Sequence, residues 1–267
     1  MQEEESEDSR TTAIQKAFGI LETLLRADEP STLVDLANTV GMPKASVHRL
    51  LNQLEAVGIV RRDLSGRAYL PGARWVQLAS ETLVALGRQP AVREIMRDLV
   101  SKVTESCNLA ILQSNEVVYV ERVECEWPLR MQLQAGSRVP VHCTSSGKLL
   151  LAMMDPDRRR RFVTSLRLER YTPNTIVEPE ELLKECERIR QEGISINREE
   201  YHRGLIGVAV PVWGAGGSVA AALAIHAPNF RMSIEGARAM IPHLRNAADH
   251  ISREAGLGDS VVGGHGS

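Results

Sequence analysis

The sequence predicts an α+β protein: an N-terminal winged helix-turn-helix followed by a domain in which helices flank an antiparallel sheet. Three observations predict it. Residues 32–71 hold two short amphipathic helices, a glycine turn and a basic hairpin in succession. Apolar runs of strand length at 108–113, 117–123 and 128–134 follow one another across short turns, as in an antiparallel meander. Further runs at 194–197, 206–213 and 218–226 return after helical stretches at 145–154, 156–166 and 179–192, and a helix over 233–254 closes the chain. At 267 residues there is room for about two domains.

In chain order, residues 12–27 place Ile14, Ala17, Leu21, Leu24 and Leu25 on one helical face. The next helix buries Leu33, Leu36, Ala37 and Val40, the i, i+3, i+4, i+7 stripe of a 3.6-residue period. Gly41 supplies the turn. Pro43 suits the start of the following helix, because its missing N–H would have no partner there. Val47, Leu50, Leu51 and Leu54 form that helix's buried stripe, leaving Lys44, Ala45, Ser46, His48, Arg49 and Asn52 at its leading end or on its free face. Arginine and asparagine read guanine and adenine edges by paired hydrogen bonds, and lysine and serine reach phosphates, so this is a candidate recognition helix.

Gly58 ends that helix, and residues 59–62 and 67–70 around a turn at 63–66 read as a wing carrying Arg61, Arg62 and Arg67. Between residues 40 and 75 six bases face two acids, a local balance of +4 in a chain of net charge −2. A positive balance gathered on a candidate recognition helix and wing points to double-stranded DNA as the partner.

The composition, 43% hydrophobic and 25% charged, is that of a folded globular chain. No apolar run approaches the ~20 residues that span a bilayer, and the start MQEEESEDSR is acidic where a signal peptide is basic, so a cytoplasmic protein with no membrane partner is expected. Cys107, Cys125, Cys143 and Cys186 lie far apart and form no C-x-x-C pair, which favours reduced core thiols. A zinc site built from His142, Cys143 and His226 fails on spacing, since neighbours on a strand face opposite ways. No metal and no cofactor are expected. Residues 1–11 and 258–267 read as disordered tails, 12–72 as the DNA-binding domain, 73–89 as a linker helix and 90–257 as the second domain.

Within the second domain the most specific stretch runs from Gly136 to Lys148, GSRVPVHCTSSGK. Hydroxyls and a glycine stand at a helix start, where free N–H groups and the helix dipole favour an anion. The same residues also fit a plain N-cap by Thr144 or Ser145, and the sequence does not choose between the two. Ser145 to Lys148 further spells S-x-x-K, the nucleophile motif of penicillin-recognising enzymes. Its partner motifs S-D-N and K-T-G are missing, as are G-x-S-x-G and H-E-x-x-H, which argues against a hydrolase.

Three motifs in this order resemble the IclR-type bacterial transcriptional regulators, and the resemblance covers almost the whole chain. Residues 44–51, KASVHRLL, look like that family's recognition helix; G-S-R-x-P-x-H with Gly147-Lys148 looks like its effector-domain signature; Glu199-Glu200, Gly204 and A-x-P-V at 209–212 look like its late signature. The resemblance implies a GAF-like effector-binding domain, a linker helix that dimerises the DNA-binding domains, and assembly as a homodimer or homotetramer. It also implies a pocket for a small-molecule effector. Met131 and Val139 would form apolar walls, and Ser145 and Ser146 would offer hydroxyl and N–H donors. Asn197, Leu205 and Gly207 would close one side, while Ala224 and His226 would line the last strand.

This chain departs from the family pattern at three of those positions. Asn197 stands where several relatives carry aspartate, and Ala224 and His226 replace small hydroxyl residues of keto-acid-responsive relatives. A pocket that has lost an acid and gained an imidazole favours a carboxylate with a larger, aromatic body over a small keto acid. The expected function is a ligand-responsive, sequence-specific repressor of a catabolic or metabolic operon. Two other classes stay open: an effector-sensing protein without DNA binding, and a small-molecule enzyme with a winged-helix appendage.

Overall fold

The computed structural model describes residues 12–27, 29–87, 89–128 and 133–255, and the chain divides into two compact units, Met1–Glu81 and Thr82–Ser267. The tails at 1–11 and 258–267, and Met131 of the expected pocket, lie outside the described residues. Among the described residues no helix is long and apolar enough to cross a membrane.

In the first unit, helix α1 (Ala13–Arg26) is opened by a capping box between Thr12 and Gln15. A second box, Thr32 with Asp35, opens α2 (Leu33–Thr39), and Gly41 at φ 65° turns the chain into α3 (Lys44–Ala56). Strands β1 (Ser31–Thr32), β2 (Val60–Arg62) and β3 (Ala68–Pro71) pair antiparallel in the order β1-β3-β2. The core joins Ile20, Leu21 and Leu24 of α1 to Leu36, Ala37, Val47, Leu50, Leu51, Val60 and Tyr69. This is the expected winged helix-turn-helix, with one correction. Ile14 and Leu25 are exposed: Ile14 lies in the first turn, outside the packed cluster, and Leu25 is about 100° around the helix from buried Leu24. Helix α4 (Ala73–Gly87) follows.

The second unit begins with α5 (Pro90–Val103), β4 (Cys107–Gln113) and β5 (Glu116–Val123). Next come β6 (Arg138–Pro140), α6 (Ser145–Ala152), α7 (Pro156–Ser165) and α8 (Pro179–Glu192). It closes with β7 (Ser195–Arg198), β8 (Leu205–Trp213), β9 (Val219–Pro228), α9 (Ile234–Ala239) and α10 (Ile241–Glu254). Six strands form an antiparallel sheet in the order β6-β5-β4-β9-β8-β7. One face packs on α5 and α10 through residues such as Met96, Leu109, Val208, Leu223 and Leu244, and the other on α6 and α8 through Ala110, Tyr119, Leu149, Leu182, Ala209 and Ala224. With both faces covered, the central strands read as continuous apolar runs.

One expectation falls largely outside the described residues and another is corrected. The strand expected over residues 128–134 is described only at 128, 133 and 134, which lie in no strand, and β5 pairs with the three-residue β6, where Glu116 pairs with Pro140. The closing helix is two helices, α9 and α10, interrupted at Met240: Pro242 lacks the N–H and its ring would clash with the preceding turn.

Candidate functional site

In the first unit, α3 buries Val47, Leu50 and Leu51 and turns Lys44, Ala45, His48, Arg49 and Asn52 outward, with Ser46 half-buried. Pro43 at the N-cap makes no side-chain cap, and the N–H groups of Lys44 and Ala45 have no partner among the described residues. Such an end receives a phosphate readily. On the wing, Arg61 and Arg67 are exposed. Arg62 is held inside the domain. Its Nε donates to both Glu55 oxygens at 3.1 and 3.3 Å, Nη1 to the Gly66 carbonyl at 3.2 Å and Nη2 to Asn52 Oδ1 at 3.4 Å, while its guanidinium lies 4.9 Å from the Tyr69 ring centroid. Arg62 and Asn52 thus tie the wing to α3, and the outward cationic face consists of Lys44, Arg49, Arg61 and Arg67.

In the second unit, Thr144 caps α6: its Oγ1 accepts from the Gly147 N–H at 3.2 Å and donates to the Pro140 carbonyl at 2.9 Å. With the cap made by Thr144, the buried Ser145 and Ser146 keep their hydroxyls and N–H groups without partners among the described residues. Opposite stands one row of the sheet, where Gly207 pairs with Asn197 on one side and His226 on the other. A side chain at Gly207 would place its Cβ 3.1 Å from Ser145 Oγ, so the glycine lets the α6 start approach the sheet. Leu205 and Ala224 share this face by the two-residue alternation, and Val139 is buried in the same apolar cluster as Ala224. Eight of the nine expected pocket residues are described, and the register gathers Ser145, Asn197, Gly207, Ala224 and His226 closely.

The structure adds residues that sequence reasoning missed. Arg122 is buried, and its Nη1 donates to Asn108 Oδ1 at 2.8 Å and lies 3.2 Å from His226 Nε2. The Tyr119 ring stacks on His226 with centroids 6.4 Å apart, and burial pushes its phenol up to about 12. The adjacent charged pair Glu121-Arg122 at the end of an apolar run was the available signal for Arg122. Its face was not.

Burial, with the Arg122 charge second, pushes His226 down to about 3, and burial also lowers His142. Both imidazoles hold a proton less tightly in the folded chain than in the unfolded one, so unfolding in acid takes up protons. The unfolded chain binds more protons below the ordinary value of 6.5, so this part of the stability is full above that pH and is lost on acidification. The full chain should lose urea resistance between about pH 7 and about pH 5. His226→Gln should flatten that fall, and an unchanged slope would refute the neutral imidazole.

Lys148 is fully buried, with Nζ 2.6 Å from Glu200 Oε1, 3.0 Å from Glu185 Oε1 and 3.0 Å from the Ile196 carbonyl. It is not a base for Ser145. The four cysteines are buried and free, and burial pushes the thiols of Cys143 and Cys186 up to about 12. Among the described residues no three His, Cys, Asp or Glu side chains could hold a metal ion together.

Comparison with known proteins matches the IclR helix-turn-helix domain to residues 13–64 and the bacterial transcriptional regulator IclR C-terminal domain to residues 82–253. The chain belongs to the IclR family. IclR relatives include SauR of Cupriavidus necator, described as a transcriptional regulator, 42% identical over 246 residues that span 92% of this chain and 97% of the relative. The transcriptional repressor AllR of Salmonella typhi is 29% identical over 250 residues, 94% of this chain and 92% of its own. Among solved structures, an IclR homologue from Microbacterium hydrocarbonoxydans complexed with 4-hydroxybenzoate is 26% identical with a TM-score of 0.58, covering 91% of this chain and 99% of that one. IclR membership makes this chain a DNA-binding transcriptional regulator.

Proposed function

We propose that this chain is an oligomeric repressor, a homodimer or homotetramer, that acts in the cytoplasm on a metabolic operon. A small carboxylate bound at the start of α6 sets its operator affinity. The observation that carries the reading is the buried pair Ser145 and Ser146, whose donors remain uncommitted among the described residues because Thr144 makes the cap; Ser145 Oγ stands against Gly207, which pairs with Asn197 and His226. Donors of this kind at a helix N-terminus favour an oxyanion. A relative named as a repressor and a structural neighbour holding 4-hydroxybenzoate support the sign and the ligand class. An enzyme is disfavoured, since Lys148 is locked between two carboxylates and does not activate Ser145.

Linkage supplies the mechanism. A ligand that binds two arrangements of paired recognition helices unequally shifts operator affinity by that difference in binding energy. The test is a thermal-shift titration of the full chain with 4-hydroxybenzoate and other small carboxylates, alongside gel shifts on DNA upstream of its own gene. A ligand that raises the melting temperature and changes the gel shift supports the reading; turnover of the ligand overturns it.

On the DNA side, Arg49→Ala should cost roughly 1–3 kcal/mol of operator affinity and relax base preference, whereas Arg61→Ala should weaken all sequences alike and flatten the salt dependence. Unchanged selectivity in Arg49→Ala would remove Arg49 from the reading face.

A further inference from the structure

One outward side chain of α3 is held from behind. Asn52 lies on the exposed face of the helix with Arg49, three residues earlier. The Arg49 guanidinium has no partner among the described residues and can turn toward any base edge. Asn52 has one partner, Arg62 at the end of β2, whose Nη2 lies 3.4 Å from Asn52 Oδ1. Arg62 is itself fixed on three other sides. Its Nε donates to Glu55 Oε2 at 3.1 Å and Oε1 at 3.3 Å, and Nη1 donates to the Gly66 carbonyl at 3.2 Å. The guanidinium stands 4.9 Å from the centroid of the buried Tyr69 ring. Glu55 is on α3, Gly66 in the wing turn and Tyr69 on β3, so three elements hold one guanidinium, and Glu55 already meets its charge.

A guanidinium has five donors and no acceptor, so an amide beside it can present only its oxygen. Oδ1 of Asn52 therefore turns toward Arg62, and Nδ2, with no partner among the described residues, is the polar atom directed away from it. Reading adenine takes both atoms of an asparagine side by side, Oδ1 accepting from N6 and Nδ2 donating to N7. An inward Oδ1 withdraws the acceptor from that pair. What remains is a donor group, and guanine, with N7 and O6, is the base whose major-groove edge offers two acceptors. Turning the amide over would set Nδ2 against the guanidinium, donor against donor. Both Arg62 and Glu55 are about a third exposed, which keeps that cost modest.

Resting on the reading of α3 as the recognition helix, we propose that Arg62 is a positioning residue for base recognition. By holding Oδ1 of Asn52 it makes that asparagine select a G·C pair where a free asparagine would select A·T. Asn52 is the reader, and Glu55 is the clamp that keeps Arg62 in place. Arg62 neutralises no phosphate in this role, because its charge is spent on Glu55.

The test uses the full chain to select bound duplexes from a random pool, then measures affinities for the selected operator with single base pairs exchanged. At one position the wild-type chain should prefer G·C over A·T by about five- to tenfold, and Asn52→Ala should lose that preference. The double variant Glu55→Gln/Arg62→Met keeps the net charge of the wild type. At the same position it should gain A·T at the expense of G·C, while the other positions keep their bases. Urea unfolding of each variant reports whether the wing is still folded. A loss of affinity equal at every position is the mark of a merely structural role and overturns the proposal. An A·T preference at the Asn52 position in the wild type, a double variant with the wild-type preference, or an Asn52→Ala chain that keeps every preference overturns the role of Arg62 and leaves α3 as the reading helix. If Arg49→Ala and Asn52→Ala both keep every preference, α3 is not the reading helix and both readings fall.

Discussion

Lys148→Met should destabilise the second unit by roughly 3–5 kcal/mol, the cost of breaking a buried ion pair from one side. Methionine fills much of the same volume, so the loss comes from what is left behind. Glu185 keeps Arg188, whose Nη2 lies 2.8 Å from it. Glu200 keeps the Arg198 N–H at 3.2 Å but loses its cation, and its Oε2 already has no partner among the described residues. The carboxylate would then be buried and uncompensated. The double variant Lys148→Met/Glu200→Gln should recover most of the loss. Urea unfolding of the single and double variants checks this; a double variant no more stable than Lys148→Met would show that lost packing, not the stranded charge, is responsible.

That ion cluster marks where the sequence stops being legible. The stripes of α2, α3 and α5 could be read directly, because a helical face is decided by residues three and four apart. The central strands were legible as apolar runs because the sheet is covered on both faces. The three residues of β6 carry no pattern of their own and are strand only because β5 lies beside them. Lys148 reads as an ordinary helical lysine until Glu185 and Glu200, 37 and 52 residues later, are folded against it.

The site divides in the same way. Ser145, Asn197, Gly207 and His226 were reachable through the family resemblance, which supplies positions but not contacts. Arg122 and Asn108 were not, because strand periodicity near a β-bulge between Leu109 and Ala110 does not fix which face a charge takes. The bland reading of the α6 start and the functional one were equally open in sequence. The structure shows the cap by Thr144, and that cap leaves the Ser145 and Ser146 hydroxyls outside the capping bond.

Gly147→Ala should be strongly destabilising in the second unit and should abolish effector binding, although alanine is the better helix former by about 1 kcal/mol. A Cβ at Gly147 would lie 2.1 Å from the Val141 carbonyl oxygen and 2.6 Å from both its carbonyl carbon and its Cα. These are backbone atoms, in a segment tied down by the bond from Thr144 Oγ1 to the Pro140 carbonyl and by the pairing of β6 with β5. No flexible side chain is there to give way, so α6 itself must shift. Overpacking of this kind costs about 1–3 kcal/mol or more, which outweighs the gain in helix propensity. Because Ser145 and Ser146 ride on the same turn, the shift moves their donors relative to Gly207 and His226, and binding should fail before folding does. Calorimetric titration and urea unfolding of the variant separate the two effects. A Gly147→Ala chain as stable as the wild type would mean that Val141 does not cross the first turn of α6 this closely, and the uncommitted donors at that turn would then need another explanation.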